Sequence, residues 1–194
     1  PDMRHDSSLQ PRVSAFVACV RDATGEALVR ELQSRRGVVT HVWPPPDRFP
    51  YDVDVIVTDM IDGLGERLPW MPGEATATLM VLLPERGGFD RKQLLDCSPD
   101  AVLFRPFGAA EFATTLAVAR SQHGYIRRLR TRIARLDENV KGIRDIERAK
   151  IILMTQRGMD EDGAYSFIRN QAMERRVTIV MLARAIVDSH ELLK

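Results

Sequence analysis

The first hundred residues alternate apolar segments of strand length with longer, more polar segments. Five segments of strand length are largely apolar, the first of them with several β-branched residues, and turn-forming residues or prolines follow most of them. They cover residues 12–20, 38–43, 53–60, 78–83 and 101–104. Strands that are apolar on both faces belong to a parallel sheet covered by helices on each side. We therefore predict an α/β domain over residues 11–120, built on a doubly wound, flavodoxin-like parallel sheet.

The apolar spacing becomes helical after Gly108, and a heptad pattern then begins. Its core positions are spaced alternately three and four residues apart and comprise Ile126, Leu129, Ile133, Leu136, Val140 and Ile143. β-branched residues at one core position, with mostly leucine at the other, favour a parallel two-stranded coil. We predict a coiled-coil dimerisation helix over residues 121–144. An amphipathic helix packed on its own front domain, or a helical hairpin within one chain, is the alternative.

Residues 145–194 show the pattern of three short helices. Gly158 stands where the first would end, and Asp160 and Thr178 stand where the second and third would be capped. We predict a small three-helix domain here, so the whole chain is of the α/β plus α class. Residues 1–10 are polar and are predicted to form a flexible tail.

Charge is distributed unevenly along the chain. Residues 1–119 hold 12 Lys and Arg against 17 Asp and Glu, whereas residues 120–194 hold 16 against 10. A basic half joined to an acidic half suggests that the basic half binds a polyanion, although a solvated helix face would carry similar charge. Residues 120–135 contain six arginines and no acidic residue.

Several classes of protein are disfavoured by composition. Two cysteines without a CxxC pair or a neighbouring histidine argue against a metal site and a disulfide scaffold, so we expect a reduced, cytoplasmic protein without cofactors. No stretch approaches the roughly 18 apolar residues of a membrane span. The four histidines are scattered and suggest no nucleophile–base pair, which makes an enzyme the weakest hypothesis.

Two strand ends of the front domain carry distinctive residues. Residues 54–60 (DVIVTDM) resemble the third strand of the receiver domain of response regulators, which puts Asp59 at the phospho-acceptor position. Residues 105–107 (RPF) resemble the Lys-Pro-Phe after the fifth strand, with Arg105 in place of lysine.

Other positions depart from a working receiver. Phosphoryl transfer requires carboxylates for Mg²⁺, a lysine and a hydroxyl at the end of strand four. Here the acidic pair is reduced to Asp22 beside Arg21, and Leu83 and Pro84 stand at the hydroxyl position. We predict a pseudo-receiver that is not phosphorylated, with Arg105 ion-paired to Asp59 or Asp22. A receiver phosphorylated on Asp59 is the alternative.

The last fifty residues contain a distinctive set of positions. They are 146–154 (IERAKIILM), Gly158, 161–165 (EDGAY), 168–169, 171–173 and 182–183. Together they resemble the ANTAR domain of transcription antitermination regulators. The order of parts in front of this segment also resembles antiterminators of that family.

The resemblance implies that the chain binds leader-mRNA hairpins as a homodimer and prevents a terminator from forming. It also implies a ligand-sensing protein as negative regulator. RNA loops are read by hydrogen bonds, stacking and cationic contacts. The candidate RNA-binding residues are Ala149, Lys150, Arg157, Arg169, Gln171, Ala172, Arg175 and Arg176. Lys150, inside the matched motif, is the first candidate, with a solvated helix lysine as the alternative. A dimeric scaffold that binds only protein is the remaining alternative function.

Overall fold

The computed structural model describes residues 12–192, so the predicted tail at residues 1–10 lies outside the described residues. The chain divides into two compact units, Pro1–Ile126 and Arg127–Lys194. The helices and strands follow the predicted order. They are β1 (Ser14–Ala18), α1 (Ala23–Ser34), β2 (Val38–His41), β3 (Val55–Asp59), α2 (Leu64–Arg67), β4 (Thr78–Leu83), α3 (Arg91–Asp96), β5 (Ala101–Phe104), α4 (Ala109–Arg157), α5 (Glu161–Arg175) and α6 (Ile179–Leu192).

The first unit is built on a five-stranded parallel sheet with the order β2-β1-β3-β4-β5. The prediction of a doubly wound sheet is confirmed. β4 and β5 coincide with the predicted segments, whereas β1 is shorter than residues 12–20 because only its centre pairs with both neighbours. β1 lies between β2 and β3, so the strand order reverses there. Ligand sites of such sheets lie at the carboxyl ends of the strands near this reversal.

Alternate residues of the strands point to opposite faces of the sheet, and each face packs in its own hydrophobic core. One face of the sheet packs α1 and the first turns of α4 through Leu28, Leu32, Phe112 and Leu116. The other face packs Phe49, Leu64 and Leu94. All six residues of β4 are buried, as expected of a strand covered on both faces.

The connection from β2 to β3 departs from the strand–helix alternation. Within the described chain it contains no helix, because three prolines, at positions 44 to 46, follow β2 and resist helix formation. The connection contributes Phe49 instead, whose ring centroid lies 5.2 Å from that of Phe16.

Helix α4 is continuous over 49 residues and contributes to both units. The borders that we predict at residues 120 and 144 fall within this helix and remain predictions. Over residues 12–192, the helices include none that is both long and apolar enough to cross a membrane.

The second unit contains a three-helix bundle formed by the end of α4 with α5 and α6, in the segment where three short helices are predicted. Its core is rich in alanine, with Ala149, Ala164, Ala172 and Ala183 all at most 1% exposed. α6 also lies close to α4 at Gly142, where an added Cβ would stand 3.0 Å from a methyl group of Val180.

The ends of these helices are closed as the sequence predicts. Gly158 follows α4 with φ of +64°, a conformation that disfavours other residues. The Asp160 carboxylate accepts a hydrogen bond from Gly163 N at 2.8 Å, and the Thr178 hydroxyl accepts one from Met181 N at 3.1 Å. These caps satisfy backbone donors that have no partner within their own helix.

Lys150 joins α4 to α5. Its ammonium lies 2.9 Å from Glu147 and 2.6 Å from Glu161, and only 10% of its side chain is exposed. Hydrogen bonds to the two glutamates raise the pKa of Lys150. Its hydrogen bond to Glu161 in turn holds the pKa of that carboxyl below its ordinary 4.5. A group with a depressed pKa stabilises the fold above its unfolded pKa and loses this effect as the pH falls through its folded pKa.

We predict that Glu161→Gln lowers the Tm at pH 7, because it leaves Lys150 without one of its two carboxylates. The difference in Tm from the unsubstituted protein should shrink as the pH falls below 4.5, where Glu161 becomes protonated. Thermal unfolding followed by circular dichroism measures both effects.

Asp162→Asn is the matched control, since it removes another carboxylate from the first turn of α5. Both substitutions lose the same interaction with the helix dipole. If the two variants shift the Tm equally at every pH, the ion pair with Lys150 does not contribute.

Candidate functional site

Two regions bring polar side chains together, one in each unit. The first lies at the carboxyl end of the parallel sheet. Asp59 ends β3, Arg105 follows β5, and Asp22 follows β1 as the N-cap of α1. Because parallel strands end at one edge of the sheet, these three residues converge there although they are far apart in sequence.

Arg105 forms an ion pair with each of the two carboxylates. Its Nε lies 3.0 Å from Asp59 Oδ1, and its Nη1 lies 3.0 and 2.9 Å from the two oxygens of Asp22. The predicted pairing is confirmed, and it includes both aspartates. Burial opposes the charge of Arg105, but Asp59 and Asp22 outweigh burial and raise its pKa. Burial likewise opposes ionisation of Asp22, yet the N–H of Gly25 and the guanidinium hold the pKa of Asp22 below its ordinary 3.8.

Both carboxylate oxygens of Asp59 are engaged. Oδ2 accepts a hydrogen bond from Val20 N at 2.8 Å, and Oδ1 faces Arg105. The Val20 contact could not be predicted from residue types, since its donor is a backbone N–H. Nearby, burial and the charge of Asp59 raise the pKa of the Cys19 thiol to about 11, so it stays protonated at neutral pH.

The guanidinium fills the space between the carboxylates in which a receiver needs a divalent cation. Over residues 12–192, no three His, Cys, Asp or Glu side chains are grouped as a metal ion would require. Leu83 is buried at the end of β4, at the position where a receiver has a hydroxyl. The arrangement holds Asp59 in an ion pair with Arg105, and Leu83 and Pro84 offer no hydroxyl at the end of β4.

The second region is a cavity of about 390 Å³ in the three-helix domain. Its walls come from the last turns of α4 and from α5 and α6. Three predicted RNA-binding residues, Arg157, Gln171 and Arg175, line it together. The structure therefore brings together side chains that lie 18 residues apart in sequence.

Other predicted RNA-binding residues lie elsewhere. Arg169 and Arg176 are exposed but do not line the cavity. Ala149 and Ala172 are 0% and 1% exposed, so they pack in the core and have no surface for RNA. The prediction that these two alanines contact RNA therefore does not agree with their burial. The ammonium of Lys150, the first predicted RNA contact, is paired with Glu147 and Glu161 and joins α4 to α5.

Sequence reasoning missed other residues of the cavity, among them Phe167 and the polar pair Gln156 and His190. The Arg157 guanidinium lies over the Phe167 ring, 4.8 Å from its centroid. Gln156 Nε2 lies 2.9 Å from His190 Nδ1. The apolar pattern places Phe167 on the inner face of α5, and nothing in that pattern distinguishes a cavity wall from a filled core.

Two family models match this chain, one within each of its two units. The family model described as AmiR, N-terminal, matches residues 13–120, and the ANTAR domain model matches residues 134–187. The aliphatic amidase regulator of Pseudomonas aeruginosa is 28% identical over 169 residues, which are 84% of this chain and 85% of that protein. The transcriptional regulatory protein PdtaR of Mycobacterium tuberculosis is 28% identical over 148 residues, 74% of this chain and 68% of that protein.

Solved structures support the fold. The response regulator StyR has a TM-score of 0.55 and 12% identity, and the match covers 92% of this chain and all of StyR. The matched relatives and families are transcription regulators rather than enzymes. The chain belongs to the family described as AmiR, N-terminal, and carries an ANTAR domain behind that part.

Proposed function

We propose that this chain is an RNA-binding transcription antiterminator that acts as a dimer. In this proposal its three-helix domain binds hairpins of a leader mRNA, and binding keeps the terminator from forming. The observation that carries the proposal is a cavity lined by both Arg157 and Arg175. It lies within the segment that matches the ANTAR domain. Among the described side chains that line this cavity, none is acidic, which suits a polyanionic ligand.

Dimerisation is supported by the heptad positions of α4. The six side chains of the seam, Ile126 to Ile143, are 41–61% exposed within one chain. A row of large apolar residues on one helix face, with heptad spacing, fits a second copy of the same helix. A dimer presents two RNA-binding domains, so the second of two linked hairpins would bind at a high effective concentration.

Regulation by a protein partner is supported by the state of the sheet edge. Because Arg105 occupies both carboxylates, the front domain has no evident way to sense a phosphoryl group. We propose that a ligand-sensing negative regulator binds the front domain or the coiled coil instead. The competing hypothesis, activation by phosphorylation, has one observation in its favour, since Asp59 stands at the end of β3.

The RNA-binding proposal is tested with the leader RNA upstream of the neighbouring operon. The full chain should bind it with an affinity that falls as salt rises, because phosphate contacts release counterions. Arg157→Ala combined with Arg175→Ala should weaken binding and reduce the salt slope by about 1 for each lost phosphate contact. Filter binding at several salt concentrations measures both quantities.

Arg86→Ala combined with Arg91→Ala is the control, since it removes the same charge from exposed positions of the front domain. Equal losses in the two double variants would show that the cavity arginines are not the contact. If neither the full chain nor residues 120–194 bind the leader, the chain is a protein-only scaffold.

The dimer is tested by two charges in the seam. Leu129→Asp with Leu136→Asp should convert a dimer to a monomer, because both would place carboxylates in the apolar interface. Thr131→Asp with Ala134→Asp puts the same charges on the same helix outside the seam and should leave the dimer intact. Analytical ultracentrifugation distinguishes the two; a monomeric unsubstituted protein, or a dimer in both variants, would contradict this interface.

The pseudo-receiver is tested with acetyl phosphate and Mg²⁺. We expect no gain in mass by intact-protein mass spectrometry, because Arg105 occupies the acceptor and the cation position. A receiver with a complete acidic set serves as the positive control. A gain of one phosphoryl group, absent in Asp59→Asn, would favour the phosphorylated alternative.

A further inference from the structure

The cavity of the three-helix domain combines an apolar floor with a cationic, polar rim. Three apolar lining residues, Ile152, Phe167 and Leu182, are buried or half-buried and define the floor. Two lining arginines, Arg157 and Arg175, are exposed and define the rim. Cationic side chains are sufficient to bind phosphate groups. Because this cavity also has an apolar floor, its shape and polarity suit a ligand that has a flat or apolar part as well.

Arg157 determines which shape of ligand the cavity suits. Its guanidinium carbon lies over the Phe167 ring, 4.8 Å from the centroid, and the residue is exposed. An exposed guanidinium beside an aromatic ring offers a planar group on which another planar group can stack. RNA bases stack on arginine planes and on aromatic side chains in this way.

Gln156 and Gln171 line the cavity and supply hydrogen-bonding groups. Gln171 Nε2 donates to Glu174 Oε2 at 2.7 Å, and Gln156 Nε2 lies against His190 Nδ1. Each glutamine thereby has its amide nitrogen engaged, and its amide oxygen is the remaining acceptor. Acceptors beside a stacking plane suit the N–H groups on the edge of a base.

We propose that this cavity receives one unpaired base from the loop of a hairpin RNA. The base stacks on Arg157 and is bonded at its edge by the glutamines, while Arg175 contacts the flanking phosphate. This assignment rests on the proposed function, and it goes further by making one loop position the element that is recognised. A protein side chain is the competing ligand, but a rim with two arginines suits the charge of RNA better.

The experiment combines substitutions in the RNA with substitutions in the full-length protein. Each loop nucleotide of a leader hairpin is replaced in turn by an abasic nucleotide. At one position the affinity of the unsubstituted protein should fall about 5- to 150-fold, the loss expected for about 1–3 kcal/mol of base stacking. The remaining loop positions should have smaller effects.

Ser189→Phe fills the cavity, and Ser166→Phe is its matched control. Both serines are exposed on helices of the same domain, but Ser189 lines the cavity and Ser166 does not. In Ser189→Phe the critical abasic position should lose its effect, because the base is already excluded. In Ser166→Phe the full effect should remain.

A second variant tests the same inference in case Ser189→Phe does not fold. Arg157→Lys keeps the charge but loses the planar group. It should reduce the discrimination between the base and the abasic site while leaving the salt slope unchanged.

The outcomes separate this inference from the proposed function. If the protein binds the hairpin but no abasic position stands out, or if both phenylalanine variants respond alike, the cavity does not take a base and the antiterminator proposal stands. Binding of no hairpin at all overturns both.

Discussion

One helix supplies side chains to two separate hydrophobic cores, and the rest of the fold depends on it. Phe112 and Leu116 near the start of α4 complete the core on one face of the sheet, and Ala149 and Leu153 near its end form part of the C-terminal core. Neither core is complete without this helix. Between them α4 has few apolar partners in its own chain, and the heptad positions there are exposed.

At the carboxyl edge of the sheet an arginine stands where a receiver has a lysine, and the two side chains bind carboxylates differently. A lysine is a point charge on a flexible chain, whereas the arginine fork can bind two carboxylates at once. Arg105 does so with Asp59 and Asp22, and the pairing holds the ends of β1, β3 and β5 together. In this chain the edge therefore carries an ion-pair network that links three strand ends.

The sequence predicted the features that depend on strand ends and on helical spacing. Asp59 and Arg105 could be paired in advance because parallel strands bring their carboxyl ends together. Lys150 could not be placed, because its partner Glu161 lies on another helix and the motif does not reveal whether a charge is free. The burial of Ala149 and Ala172 could not be predicted either, because a small residue in a motif fits a packed core as well as a close surface contact. The cavity depends on how three helices pack, which periodicity does not describe.

The residues of the C-terminal domain fall into two groups, the buried alanines of its core and the side chains around its cavity. Its four buried alanines leave no room for a larger side chain, so substitutions there would be lost through misfolding. The side chains around the cavity rim bear little of that packing and are free to vary. Related proteins could therefore diverge in what they recognise through a few rim positions, while the framework beneath stays the same.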